Sequence, residues 1–255
     1  MVFGHSALEL AHEQSGVVLK FLVRDALREW KHDHSSLKVA YSHQWTSQRS
    51  SEARKVGPDY DWTFTTEYKG TISAPVAEGA DAASAVVGSL VETEEKIDLD
   101  RLRVPEPMLF FDEVVLFEDE LADNGDSFLS VKVRVMPSYF YVLLRFHMRV
   151  DDVTMRIHDT RIFHEYGSSH LLREYQTREA TYQQLAQQGK MPSDLSQLTD
   201  SNFVWTILPL TGSTTHKILL SAAAPSASAT PSTTTDVASA PEGLDKDLAH
   251  LTISS

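Results

Sequence analysis

The chain has 255 residues, 42% of them hydrophobic and 23% charged, enough for one sizeable domain with a real core. It contains no cysteine, so disulfides, thiolate zinc sites and a cysteine nucleophile are excluded, in keeping with a reducing compartment. Acids outnumber bases 36 to 23, for a formal charge of -13. This argues against general affinity for nucleic acid or anionic membranes, and for a partner with a basic or metal-bearing face.

Met1 to His5 has neither a basic n-region nor an apolar run, so no secretory signal is expected there. No apolar stretch approaches the roughly 18 residues of a membrane span, and no Asn-x-Ser/Thr site occurs. The expectation is an acidic, soluble, intracellular protein. Val17 to Val23 is β-branched and reads as a strand, followed by a helix from Asp25 to Trp30 with Asp25 as its N-cap. Leu37 to Tyr41 reads as a second strand, and Gly57-Pro58-Asp59 as a turn. Trp62, Phe64, Thr66 and Tyr68 then alternate with polar residues, predicting a strand that Gly70 ends.

From Pro75 to Glu95 the composition shifts to Ala, Ser, Gly, Val and acids without a period, which predicts a loop insertion. Ile97 to Leu102 reads as a short helix. The strongest periodic signal runs from 108 to 166. Val131, Val133 and Val135 alternate with Lys132 and Arg134, and Pro137-Ser138 breaks the run. Phe140, Val142, Leu144, Phe146, Met148 and Val150 then share one face, with Tyr139, Tyr141, Leu143, Arg145, His147 and Arg149 on the other. Asp151-Asp152 turns the chain into Val153, Met155 and Ile157. This is an antiparallel meander whose second face, carrying Arg and His among aromatics, is not open to water along its length.

From Ser168 the spacing of Leu171, Leu172, Tyr175, Tyr182 and Leu185 predicts a helix, with Glu174 and Arg178 as an i,i+4 ion pair and Gly189 as its stop. Leu195 to Leu220 holds one more helix and a strand at Phe203 to Leu208. Beyond Ser221 the Ala, Ser, Thr and Pro content predicts a disordered tail over 221–255. The domain therefore spans 1–220, and no internal repeat interrupts it. The fold class expected is α+β, a curved antiparallel meander flanked by a few helices.

The candidate chemistry is sparse. His32 and His34 sit in a polar stretch without a third ligand at a metal-site spacing, which favours a structural role. His158, Asp159, His164 and Glu165 supply the alternative reading, a metal-dependent hydrolase, against which Asp159 is read as the cap of a turn or strand end. The acids Asp112, Glu113, Glu118, Asp119, Glu120, Asp123 and Asp126 flank Val114 to Phe117. They read as a solvated acidic loop beside a buried strand, or as a docking surface for a basic partner. The EF-hand pattern does not fit them. Gly-x-Ser-x-Gly, Gly-x-Gly-x-x-Gly and the P-loop are all missing, which removes the common enzyme classes. The residues alone lead to an acidic α+β binding protein with no implied cofactor.

Five stretches, in order, resemble the TIPRL family (TOR signalling pathway regulator-like proteins). They are Tyr60 to Thr71 (YDWTFTTEYKGT), Leu116 to Leu121 (LFEDEL), Ser130 to Ser138 (SVKVRVMPS), Asp159-Thr160-Arg161 with His164-Glu165, and Leu172 to Tyr175 (LREY). The looser match runs from about Phe3 to about Leu210. The resemblance implies a non-enzymatic adaptor that binds catalytic subunits of type 2A-like protein phosphatases and influences TOR signalling. It also implies a link to the alpha-four regulatory subunit, and a curved sheet with a cleft for a peptide segment. It places the chain in the cytoplasm, with the nucleus as a second compartment.

The family's phosphatase-binding positions fall on Asp25, Ile97, Ile157 and Asp159. Ile157 and His158 stand where animal members carry methionine and asparagine. The insertion at 75–95 is longer than the family's, and several tens of residues that usually precede the segment matching Met1 are missing; if they supply a strand, one sheet edge is left open. On this reading Asp159→Ala or Ile97→Ala weakens phosphatase binding by about 2 kcal/mol, roughly 30-fold.

Overall fold

The computed structural model describes residues 6–32, 64–73, 90–119, 121, 125–220 and 250–254, with backbone alone at 30–32, 64–65 and 250–254. The meander read from alternation is its centre. Strands β7 (Phe110–Asp119), β8 (Gly125–Val135), β9 (Tyr139–Val150), β10 (Thr154–Glu165) and β11 (His170–Thr181) pair antiparallel in sequence order. β12 (Leu210–Leu219) extends the sheet beside β11, and the short β6 (Leu90–Glu92) closes that side, giving seven strands. Asp151 to Val153 forms the tight turn between β9 and β10, with Asp152 at φ 61.

A smaller layer packs on one face of this sheet. β1 (Ala7–His12), β2 (Val17–Leu22) and β5 (Thr71–Ser73) join β13 (His250–Ser254) in the order β13-β1-β2-β5. Leu8, Leu10, Leu19 and Phe21 meet Val142, Leu144, Phe146 and Ile162 in the main core. This is the inner face. β3 (Trp30–His32) and β4 (Phe64–Thr66) form a separate pair, and α1 (Val23–Arg28) follows β2. On the outer face, Met155 and Ile157 pack beneath α2 (Tyr182–Gln187), a 3-10 turn at Leu195–Thr199 and α3 (Ser201–Ile207).

Several expectations need correction. The stretch from His170 to Thr181 is a strand, and only Tyr182–Gln187 is helical. Being central, β11 is covered on both faces, so large residues occupy both and the period of 2 that marks a half-exposed strand is lost. Glu174 and Arg178 are thus about 13 Å apart along a strand rather than neighbours on a helix. Gly189 does stop α2. At φ 64 it donates to Ala186 O while Lys190 N–H reaches Leu185 O, a two-bond C-terminal cap. Phe203 to Leu208 is helical up to Ile207, and the strand lies just beyond it, at Leu210–Leu219. The N-cap of α1 is Leu22, with Asp25 inside the first turn. Ile97 precedes a 3-10 turn at Arg101–Arg103.

The acids Asp112, Glu113, Glu118 and Asp119 lie on β7, an edge strand, rather than in a loop. Within the stretch assigned to a disordered tail, His250–Ser254 pairs with β1. The rest of 221–255 lies outside the described residues, as do Leu37 to Tyr41, the turn at Gly57 and most of the 75–95 insertion.

Candidate functional site on the two faces of the central sheet

Strand alternation decides where each expected site residue points. His158 and His164 belong to the inner face of β10, Asp159 and Glu165 to its outer face. The six residues from His158 to His164 also span about 20 Å along a strand. The four groups of the proposed metal site are thus separated by the sheet itself and cannot meet at one ion. His158 instead gives Nδ1–H to Thr66 O at 2.8 Å, and His164 Nδ1 lies 3.1 Å from His170 O.

On the outer face, Asp159 is mid-strand, 1% exposed, and directly opposite Arg145 and Gln176. Arg145 donates Nε–H to Oδ1 and Nη2–H to Oδ2, each at 2.8 Å, a fork on fork. Its Nη1 reaches Asn202 Oδ1 at 2.9 Å, tying the pair to the first turn of α3. Arg161 lies 3.6 Å from the same carboxylate, and both Arg161 and Arg178 face the Trp205 ring of α3, at 5.0 and 4.2 Å. Burial, together with the carboxylate of Asp159, pushes the Tyr141 hydroxyl up to about 12 against the pull of Arg161 and Arg145. Ile157, 0% exposed, sits two residues away beneath Leu198, Val204 and Leu208. Ile97, 4% exposed, packs on Phe163 and Leu172, and its N–H donates to Glu174 Oε1 at 2.7 Å. Three of the four expected positions therefore gather on one face, but beneath its cover rather than on the surface. Asp159 caps nothing; it anchors α3.

Asp25 belongs elsewhere. Half-buried, it accepts Thr71 Oγ1–H at 2.6 Å, and Thr71 Oγ1 in turn lies 3.2 Å from Tyr68 OH. The loop so held presents Lys69, whose Nζ lies 4.1 Å from the Tyr175 ring centre. Here the inner face carries a second polar group. Arg173 and His216 are direct partners across β11 and β12, with Tyr175 next along β11. Arg173 is 7% exposed, its Nε has no hydrogen-bond partner, and no carboxylate pairs with it among the described residues. The Tyr175 hydroxyl is also buried without a partner. Burial pushes the Arg173 guanidinium down, relieved only by the field of Glu29. Burial and the Arg173 charge hold His216 below its ordinary value, while burial raises Tyr175. Arg173 and Tyr175, with Lys69 beside them, form a strip of donors on the inner face, within the fields of Glu29 and Glu67.

This strip was missed in the sequence because reading 168–188 as a helix puts Arg173 and Tyr175 on different sides. Reading Leu171, Arg173, Tyr175, Thr177 and Glu179 as one side of a strand would have aligned them.

Comparison with known proteins settles the family. The model of the TIP41-like family matches residues 1–186. The chain belongs to the TIP41-like family. A TIP41-like protein of Dictyostelium discoideum is 40% identical over 224 residues, covering 87% of this chain and 80% of its own. The TIP41-like protein of Homo sapiens is 38% identical, covering 86% of this chain and 76% of its own. A Saccharomyces cerevisiae relative, 34% identical over 80% of this chain and 60% of its own, is named a type 2A phosphatase activator. In this TIP41-like protein three of the resembling stretches, Ser130 to Ser138, Asp159 to Glu165 and Leu172 to Tyr175, lie on or directly beside β8, β10 and β11 of the meander.

The inner face also sets a pH response. Burial depresses the His158 pKa below its ordinary 6.5, partly offset by the bond to Thr66 O. Between the depressed value and 6.5 the unfolded chain binds more protons than the folded one, so stability rises with pH. The stability is complete above about 6.5 and is lost as pH falls below it. Melting curves from about pH 7.5 down to about 5.5 should show this loss, with a shallower slope in His158→Asn. Equal slopes would mean that His158 does not contribute.

Proposed function

We propose that this chain binds the catalytic subunits of type 2A-like protein phosphatases and regulates them without catalysing a reaction itself. The family supports a phosphatase-regulating role, since a yeast relative carries the name of an activator. The observation that carries the binding reading is the buried Arg173, whose Nε has no hydrogen-bond partner and which pairs with no carboxylate among the described residues, beside the Tyr175 hydroxyl, likewise unpartnered there. A buried guanidinium left unpaired costs free energy, and a carboxylate entering the strip relieves it. A phosphatase catalytic subunit presents a flexible tail ending in a carboxylate, an extended segment of the right chemistry.

The four expected positions then have two kinds of role. Asp25 supports the strip through Thr71 and Tyr68, which shape the loop bearing Lys69. Ile97, Ile157 and Asp159 shape the outer face, where α3 and the segment before the 3-10 turn offer a second contact area. The proposal includes action within TOR signalling, a link to the alpha-four subunit and a cytoplasmic and nuclear location.

The test is co-purification of the 255-residue chain with a type 2A catalytic subunit, intact and lacking its C-terminal tail. Binding of the intact subunit and at least about tenfold weaker binding of the shortened one are expected. No binding by either overturns the function, whereas equal binding of both overturns the strip as the tail's site.

A further inference from the structure

Among the described residues, β7 pairs with β8 alone and forms one edge of the seven-stranded sheet. Natural edges of this length are blunted by charged side chains, lysine above all, by proline or by a bulge, and the charges of β7 are acids, which oppose a like-charged strand and favour a basic one. From Phe110 to Val115 the strand carries neither lysine nor proline, and its bulge comes only between Val115 and Phe117. Phe111 and Val115 are 55% and 47% exposed on the outer side, and Met108 just before the strand is exposed as well. Between them lie Asp112 and Glu113, with Glu118 and Asp119 farther on. Glu113 Oε2 meets Lys132 Nζ at 3.1 Å on the neighbouring strand, and the Asp112 carboxylate accepts the N–H of Glu113 at 2.7 Å.

We infer that Phe110–Val115 is an interaction surface that accepts an extended basic segment of a partner protein as an added strand. The alternation of β7 supports this choice of occupant. Phe111 and Val115 offer apolar contact at every fourth position, while the acids attract lysine or arginine on the entering segment. A second copy of this chain is a poor occupant. Two β7 strands placed edge to edge would bring Asp112 and Glu113 of each against those of the other, a like-charge arrangement that opposes pairing. The overall charge of -13 adds to that repulsion and speeds approach of a basic partner. This surface is separate from the Arg173 strip, which lies toward the opposite edge and takes an anion, so either proposal can fail alone.

The probe is an acetylated, fluorescein-labelled peptide of alternating lysine and valine, titrated against the full chain and followed by anisotropy. Its control is the same peptide with three consecutive backbone nitrogens methylated, which keeps the charge and removes the donors for strand pairing. The parent peptide should bind and slow amide exchange along β7. The methylated peptide, and the parent peptide with a Phe111→Ser, Val115→Ser double variant of unchanged melting temperature, should bind at least about tenfold more weakly. Equal binding of both peptides would reduce the surface to diffuse charge attraction. An unaffected double variant, or no binding at low salt, would also overturn the inference. So would self-association of the wild type that the double variant abolishes, because the occupant would then be a second copy.

Discussion

Asp159→Ala is expected to cost about 3–5 kcal/mol of folding stability, because it leaves Arg145 buried without its counter-charge. Domains of this kind hold only about 5–15 kcal/mol in total, so the variant will be marginal at 37 °C. The family positions suggested a surface contact whose loss weakens phosphatase binding by about 2 kcal/mol. At 1% exposure Asp159 cannot act that way in the free chain. Its two 2.8 Å bonds from Arg145, and the further reach of Arg145 to Asn202, hold α3 on the sheet. Any weakening of phosphatase binding in this variant is therefore expected to come through unfolding or through displacement of α3. Urea unfolding of three proteins separates the pair's value from the penalty of breaking it: wild type, Asp159→Ala, and a double variant with Asp159→Leu and Arg145→Met. Replacing a buried pair by apolar residues of similar volume is often neutral, so the double variant should recover most of the loss. A single variant as stable as wild type would mean that the ion pair does not hold α3.

The parts of the fold legible in the sequence are those where one face of a strand meets the core and the other does not. Val131, Val133 and Val135 against Lys132 and Arg134 fix β8, and the twelve residues of β9 sort onto the two faces as their alternation says. Legibility fails where burial is two-sided. In β11 the neighbours Leu171 and Leu172 are both buried, on opposite faces, and the run Leu171 to Tyr175 is buried throughout. A helix explains such spacing equally well until neighbouring strands are known. The site suffered for the same reason. Asp159 looked like a turn residue because Asp in the middle of a strand is unfavourable by propensity, and only its partner fourteen positions away reverses that. The metal reading of His158, Asp159, His164 and Glu165 rested on closeness in sequence, which a strand turns into opposite faces.

Arg173→Met should move stability and binding in opposite directions, which marks a residue kept for a partner rather than for the fold. In the free chain Arg173 is 7% exposed, its Nε is unpartnered, and burial already disfavours its charge. Methionine fills similar space without that cost, so the free domain should gain about 1–2 kcal/mol. Affinity for a peptide with a free C-terminal carboxylate, taken from the phosphatase tail, should fall about 30-fold, the scale of a buried arginine hot spot. Arg173→Lys should fall between the two, because an ammonium keeps the charge but cannot make the two parallel bonds of a guanidinium. Amidation of the peptide's C-terminus should abolish the difference between wild type and Arg173→Met. Melting curves and peptide titrations on the same three proteins read both quantities. If Arg173→Met lowers stability and binding together, the guanidinium is part of the scaffold, and the strip is not the site of the phosphatase tail. If stability rises while binding falls, the strip is a site whose cost to the free protein is recovered when the partner's carboxylate enters.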